Sequence, residues 1–231
     1  MTHSVDRGGD QVIPRPEHWR DAGLPVWNEI RPEDVTDLDG VVEALAKRSA
    51  SDLVRGPLVE RPNSQGKNSA VLVALYPGDA GTTMILTKRP THMRTHAGEI
   101  AFPGGSVDPS DDSLWDTALR EANEEIGLDP LAVTYVGDLD RFVTGASYSL
   151  VQPIVGRLGR RPDLVASPDE VAEILEVPLV ELIDDGVYRR EEWRRDSPWI
   201  PMHFFELIGE TVWGATALMI DNLLEVLAQP G

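Results

Sequence analysis

Apolar residues recur along this chain in two rhythms, which divide it near residue 65. Before that point they are scattered among Pro14, Pro16, Pro25, Pro32, Pro57 and Pro62. One stretch stands out. From Asp37 onward, Val41, Val42, Ala44, Leu45 and Ala46 recur at helical spacing towards Leu53. The spacing predicts a helical arm that packs on the main domain. It is too short and proline-broken for a core of its own. Arg61-Pro62-Asn63-Ser64-Gln65-Gly66 has the composition of a turn or linker. The division is an arm and linker over 1–65 and a main domain over 66–231.

Beyond Lys67 the apolar runs shorten and sharpen. Ser69 to Tyr76 is a continuous apolar run closed by Pro77-Gly78, which predicts a buried strand, and Gly81 to Thr87 predicts its hairpin partner. Phe102-Pro103-Gly104-Gly105 predicts a sharp turn. Ser113 to Ile126 predicts a helix: Asp112 or Ser113 can cap it, Leu114, Ala118 and Ala122 share a face, and Gly127 ends it. Further strands are expected at Val133–Leu139, Ser149–Gly156 and Ile174–Pro178. A late hairpin is expected from Met202–Leu207 and Thr211–Trp213, then a helix from about Ala215 to Ala228. Strands interspersed with two helices predict an α/β (α+β) fold, a mixed sheet with helices on its faces.

Composition narrows the function. With 231 residues, 41% hydrophobic and 26% charged, the chain can bury a real core as one domain plus an appendage. No run approaches the roughly 18 apolar residues of a membrane span. The first residues, MTHSVDRGGDQ, have no apolar h-region, so no secretory leader is expected. Cysteine is absent, which excludes disulfides, zinc–thiolate centres, iron–sulfur clusters and cysteine nucleophiles and accords with the cytoplasm. Net charge is −18, a field that repels nucleic acid and acidic membranes. An anionic substrate would therefore need a local cation, either a metal or a few placed arginines.

The chemistry concentrates in Arg120-Glu121-Ala122-Asn123-Glu124-Glu125-Ile126-Gly127-Leu128. On a helix, Glu121 stands one turn from both Glu124 and Glu125, so three carboxylates crowd one edge. They repel one another, and the helix C-terminus disfavours them further. One reading is an acidic, solvated helix face. The other is a site for a hard divalent cation with oxygen ligands, which would relieve the repulsion.

These residues resemble the second half of the Nudix box, Gly-x5-Glu-x7-Arg-Glu-U-x-Glu-Glu-x-Gly-U, where U is a bulky apolar residue. Ala122 is small for the first U. The first half departs from the pattern. Gly105 to Asp111 keeps the five-residue gap with Asp in place of Glu, but eight residues, not seven, precede Arg120. Asp112 restores the seven and breaks the first gap, so the first acidic position is Asp111 or Asp112. Leu86-Thr87-Lys88-Arg89, Arg94, Gly98 and Phe102-Pro103-Gly104-Gly105 resemble the segment preceding the box in the coenzyme A pyrophosphatase branch, which also tends to carry the extra residue. Pro90 replaces the usual Ser or Ala. Glu173 to Leu179 and Val212 to Ala217 are similar to the same branch. The resemblance covers roughly 67–228 and leaves the arm outside.

The resemblance implies a Nudix-type α/β/α sandwich and metal-assisted hydrolysis of a small-molecule diphosphate. It implies Mg2+ or Mn2+ on Glu121, Glu124 and Glu125, with a backbone carbonyl at Gly104 or Gly105. Arg120 either orients the glutamates as a bidentate fork, favoured in this family, or touches substrate phosphate. The general base is expected outside the box, with Glu170 of Ser167-Pro168-Asp169-Glu170-Val171 the candidate. In the alternative, Glu170 decorates a turn and a box glutamate is the base. Arg89 and Arg94 are expected to meet substrate phosphates, including a 3′-phosphate, or else to pair with surface acids. Phe102, Gly104 and Gly105 are expected to border the substrate.

The branch implies coenzyme A or its thioesters as substrate. The alternatives are ADP-ribose, NADH or another nucleoside diphosphate derivative, or a Nudix-like module that senses a nucleotide without turnover. His92 and His96 have zinc-like spacing but no third ligand to complete a tetrahedral site. Nucleic acid and membrane are not expected as partners, and the arm leaves a homodimer contact open.

Overall fold

The computed structural model describes residues 7–48, 54–55, 68–93, 96–144, 149–194 and 198–229. The arm contributes β1 (His18–Asp21), α1 (Pro32–Thr36) and α2 (Leu38–Lys47). Asp37 caps α2 by accepting the Gly40 N–H at 3.0 Å. Arg48 is extended and ends the helix, and the expected continuation over 49–53 lies outside the described residues. The chain continues through β2 (Val54–Arg55), β3 (Asn68–Gly78), β4 (Gly81–Lys88), β5 (Ile100–Ala101), β6 (Gly104–Ser106) and α3 (Leu114–Ile126). After a 3-10 turn at Pro130–Ala132 come β7 (Val133–Asp138), β8 (Arg141–Val143), β9 (Leu150–Leu158), β10 (Glu173–Pro178) and α4 (Leu179–Leu182). Last come β11 (Tyr188–Arg194), β12 (Ile200–Glu206), β13 (Thr211–Trp213) and α5 (Gly214–Leu227). From residue 69 on, the elements read from periodicity are present, with ends within two residues.

The larger sheet runs β10-β4-β3-β9-β8-β2, with β5, β6 and β7 attached to β4, β3 and β9. It is mixed: β3 and β9 are parallel, as are β2 and β8, and the other pairs are antiparallel. Alternation along its strands divides the core. On one face Leu72, Ile85 and Ile154 meet Ala118, Ala122 and Ile126 of α3. On the other, Val73, Leu75, Met84 and Leu86 share a cluster with Trp27, Val35, Leu38, Val41 and Leu45 of the arm and with Ile220 and Leu223 of α5. Among the described residues no helix is long and apolar enough to cross a membrane.

A second sheet, β1-β11-β12-β13, was not foreseen beyond its β12–β13 hairpin. Its inner face gives Phe205 and Val212 to the larger cluster. Residues 7–15 lie along this sheet as a strap: Gly8 N–H donates to the Leu207 carbonyl at 2.7 Å and Gly9 N–H to Thr211 Oγ1 at 3.0 Å.

The arm is fastened by polar groups as well. Trp27 Nε1 donates to Asp221 of α5 at 2.8 Å. Asp140, 1% exposed, accepts from Arg48, from Arg55 at 2.6 Å and from Asn222 at 3.2 Å. Burial alone would raise the Asp140 pKa, but the two arginines outweigh it and hold the carboxyl below its ordinary value.

Candidate active site

The site is built on α3 and the short strand β6. Ser113 caps the helix, its hydroxyl accepting the Asp116 N–H at 3.2 Å. Gly127 ends it in the left-handed conformation at φ 66°, which a residue with a Cβ adopts only at a cost. Ala118, Ala122 and Ile126 face the sheet, which sets Glu121, Glu124 and Glu125 along one side.

The three glutamates are buried to different depths: Glu124 and Glu121 side chains are 54% and 18% exposed, and Glu125 is 7% exposed. Glu121 lies directly over Gly105, where a Cβ would overlap its carboxylate. Gly104 approaches the Val71 backbone too closely for a Cβ, and its N–H donates to Glu125 Oε2 at 3.2 Å. Gly104 is therefore demanded by its close approach to backbone, whereas a side chain at Gly105 would displace the Glu121 carboxylate.

Arg120 organises the group. Its Nη1 donates to Glu121 Oε1 at 3.0 Å and to Glu124 Oε2 at 3.1 Å. Its Nε and Nη2 grip Asp111 at 2.9 and 3.0 Å, and Nη2 also reaches the Ser106 carbonyl at 3.1 Å. Of the two aspartates left open by the spacing, Asp111 is the one held against Arg120, while Asp112 is exposed. Arg120, aided by Asp108 and Thr117 donors, holds the Asp111 carboxyl well below the usual carboxylate range. The sequence reading missed Thr117 and Ser106. Thr117 could have been found, because it lies one helical turn before Arg120.

Burial pushes the Glu125 pKa up to about 7, and the Glu121 and Glu170 charges add to it; the Gly104 N–H and the Arg89 charge offset only part. Glu121 is raised by burial and by its acidic neighbours, against the pull of Arg120. Glu170 is exposed, and its charge acts on both of these glutamates. Its segment is anchored to the end of the box helix, with Ser167 N–H donating to the Glu125 carbonyl at 2.8 Å and Val165 N–H to the Ile126 carbonyl at 2.9 Å.

Among the described residues no three His, Cys, Asp or Glu side chains stand close enough to cage a metal ion; Glu121 and Glu124 share Arg120 instead. The donor chemistry nevertheless suits one. This is a half-buried group of oxygen donors short of positive charge, the condition that Mg2+ or Mn2+ relieves.

The remaining expected site residues divide. The Arg89 charge is felt at Glu125; its Nη2 lies 3.1 Å from Met93 Sδ, and its Nε is buried without a partner among the described residues. Arg94 lies outside the described residues. Phe102, expected to border substrate, is only 3% exposed and belongs to the larger core cluster. Burying its ring beneath the turn is worth roughly 1.5–3 kcal/mol and leaves little of it exposed. His96 Nδ1 pairs with Glu99 at 2.7 Å, while His92 is exposed.

Comparison with known proteins identifies the family. The NUDIX domain family model matches residues 66–201. An uncharacterized Nudix hydrolase, NudL, from Photorhabdus laumondii is 36% identical over 169 residues, spanning 73% of this chain and 89% of its own. The NudL protein of Escherichia coli is 36% identical over 188 residues, spanning 75% of this chain and 90% of its own. Among solved structures, a MutT/nudix family protein from Enterococcus faecalis aligns over 86% of this chain and 72% of its own, at 16% identity and a TM-score of 0.48. The chain belongs to the Nudix family and is a Nudix pyrophosphohydrolase. Membership implies a small-molecule diphosphate as substrate.

Proposed function

We propose that this enzyme hydrolyses the diphosphate of coenzyme A or its thioesters, releasing 3′,5′-ADP and 4′-phosphopantetheine or its acyl form. The observation that carries the reading is the grip of Arg120 on Asp111. It closes the box across the extra residue that the coenzyme A branch tends to carry, so the irregular spacing leaves Glu121, Glu124 and Glu125 on their helix edge. The segment from Leu86 to Gly105 supports the same branch. We assign the hydrolase domain to 66–231, with 1–65 as an arm that completes its core.

Glu121, Glu124 and Glu125 would hold Mg2+ or Mn2+, with the Gly104 backbone beside them. When bound, the cation neutralises and orients the diphosphate oxygens. Arg120 keeps Glu121 and Glu124 together and is held in turn by Asp111. Glu170 takes the proton of the attacking water as a new P–O bond forms and the bridging P–O bond breaks, the bridging oxygen leaving on the second phosphate. Arg89 holds a substrate phosphate, with the 3′-phosphate of coenzyme A as its proposed partner.

The test is product analysis by mass spectrometry after separate incubation with coenzyme A, ADP-ribose and NADH, each with Mg2+ or Mn2+. A Glu124→Gln variant is the control. The expected result is 3′,5′-ADP from coenzyme A, formed faster than products from the others and lost in the control. Faster cleavage of ADP-ribose or NADH would keep the chemistry and replace the substrate. Tight nucleotide binding without any product would instead favour a sensor.

A further inference from the structure

Arg89 follows Lys88 in the chain and the Glu170 segment is tied to the Lys88 carbonyl, while the partner of the Lys88 ammonium lies outside the segment that matches the family. Side chains alternate along β4: Met84 and Leu86 enter the larger core cluster, whereas Ile85 faces α3. Lys88 continues the first series, so it points away from the glutamates and towards the second sheet. There its Nζ pairs with Glu210, in the turn between β12 and β13; the two side chains are 22% and 10% exposed. Arg89 follows just beyond the end of β4, its N–H donating to the Glu99 carbonyl at 3.0 Å, and its charge acts on Glu125.

The backbone of Lys88 ties down the other catalytic candidate. Its carbonyl accepts the Ala172 N–H at 2.8 Å, two residues after Glu170. The segment bearing Glu170 is thus pinned at one end to α3 through Ser167 and at the other to Lys88.

Glu210 is fixed in turn by the strap. Gln11 Nε2 donates to its carboxylate, and Gln11 Oε1 accepts the Thr211 N–H at 3.0 Å. Gly8 forms a parallel bridge with Ile208 just before the turn. The family match covers 66–201, so Gln11 and Glu210 both lie beyond it.

We propose that Glu210, backed by Gln11 of the N-terminal strap, is a positioning residue that acts through Lys88 to set Arg89 and the Glu170 segment against the diphosphate. The inference rests on the proposed roles of Arg89 and Glu170. A misplacement of about 1 Å by a residue remote from the chemistry can cost ~10²-fold in rate, so loss of one such link should cost about 10-fold.

The test uses the full chain with Glu210→Gln, Lys88→Met, Lys88→Arg and the exchanged pair Lys88→Glu with Glu210→Lys. Coenzyme A hydrolysis is read as KM and kcat separately, and backbone hydrogen exchange is followed by mass spectrometry on the same proteins. Glu210→Gln and Lys88→Met should lower kcat/KM about 10-fold, with KM rising through Arg89 and kcat falling through Glu170. They should also speed exchange over 89–93 and 167–172 while leaving β3 and α3 protected. Lys88→Arg should stay near the parent, and the exchanged pair should recover much of the loss. A purely structural role would lower kcat through loss of active enzyme and leave KM unmoved, and that result overturns the proposal. So does unchanged exchange over 167–172, whatever the activity. If the parent protein does not cleave coenzyme A, the substrate assignment fails, and the exchange measurement still decides the positioning.

Discussion

Glu125 and Asp140 are both buried carboxylates, and their surroundings differ in one respect. Asp140 is gripped by two arginines and an asparagine, and its pKa is pulled down. Glu125 has one backbone N–H and a distant share of Arg89, sits among other carboxylates, and is pushed up to about 7. At Asp140 positive charge is built in, and it joins the arm to α5 and the larger sheet. At Glu125 positive charge is lacking. A buried acid that has its counter-charges built in holds a fold together, whereas one left short of them is ready to take a cation from outside.

The sharpest way to break this contrast is to neutralise each acid in place. Glu125→Gln should lower metal-dependent hydrolysis by about 10³-fold, the several kcal/mol that a bound cation contributes, with the melting temperature unchanged or higher. A variant that melts lower while keeping its rate would place Glu125 with Asp140 as a structural acid. Asp140→Asn should do the reverse: it should cost about 3 kcal/mol in chemical denaturation, as when one partner is taken from a buried ion pair, and leave kcat of the folded enzyme as it was. Glu170→Gln should lower kcat by about 10²-fold; a loss of less than a few-fold would move the base onto a box glutamate. Arg89→Ala should raise KM for coenzyme A by about 10-fold, the value of a lost charge-assisted hydrogen bond, and less for 3′-dephospho-coenzyme A. Equal losses on the two substrates would remove the 3′-phosphate from its role.

The smallest effect concerns pH. Because the folded state lowers the Asp140 pKa from its ordinary 3.8, its contribution is complete above that value and lost as pH falls through the folded value. Acid unfolding of Asp140→Asn should therefore begin from a lower plateau and show a shallower limb below about pH 4. Parallel limbs in the two proteins would show that Asp140 is not the titrating group.

The box helix was legible because its apolar face, capping serine and terminal glycine all agree, and its acids carry a spacing with chemical meaning. The second sheet was not. β11 reads Tyr-Arg-Arg-Glu-Glu-Trp-Arg, which looks like a solvated charge run, yet Glu191 is only 2% exposed and lies among Arg15, Arg189 and Trp193. Its burial depends on partners 176 residues away, which no local period can announce. The choice between Asp111 and Asp112 was equally closed to counting, since it turns on where the loop brings a carboxylate back to Arg120. Lys88 and Glu210, 122 residues apart, belong to the same class of long-range pairing.

The fastening of Trp27 to Asp221 also bears on how the molecule is made. The two residues are 194 positions apart. At ~5–20 residues per second, a ribosome needs about 10–40 s to reach the aspartate after the tryptophan has been joined. Through that interval the apolar side of α2 and the indole have no α5 to cover them. Such non-local closure slows folding and leaves nascent chains prone to association. A protein that closes this core only when α5 arrives gives chaperones a long opportunity and makes messages cut short of α5 costly to the cell.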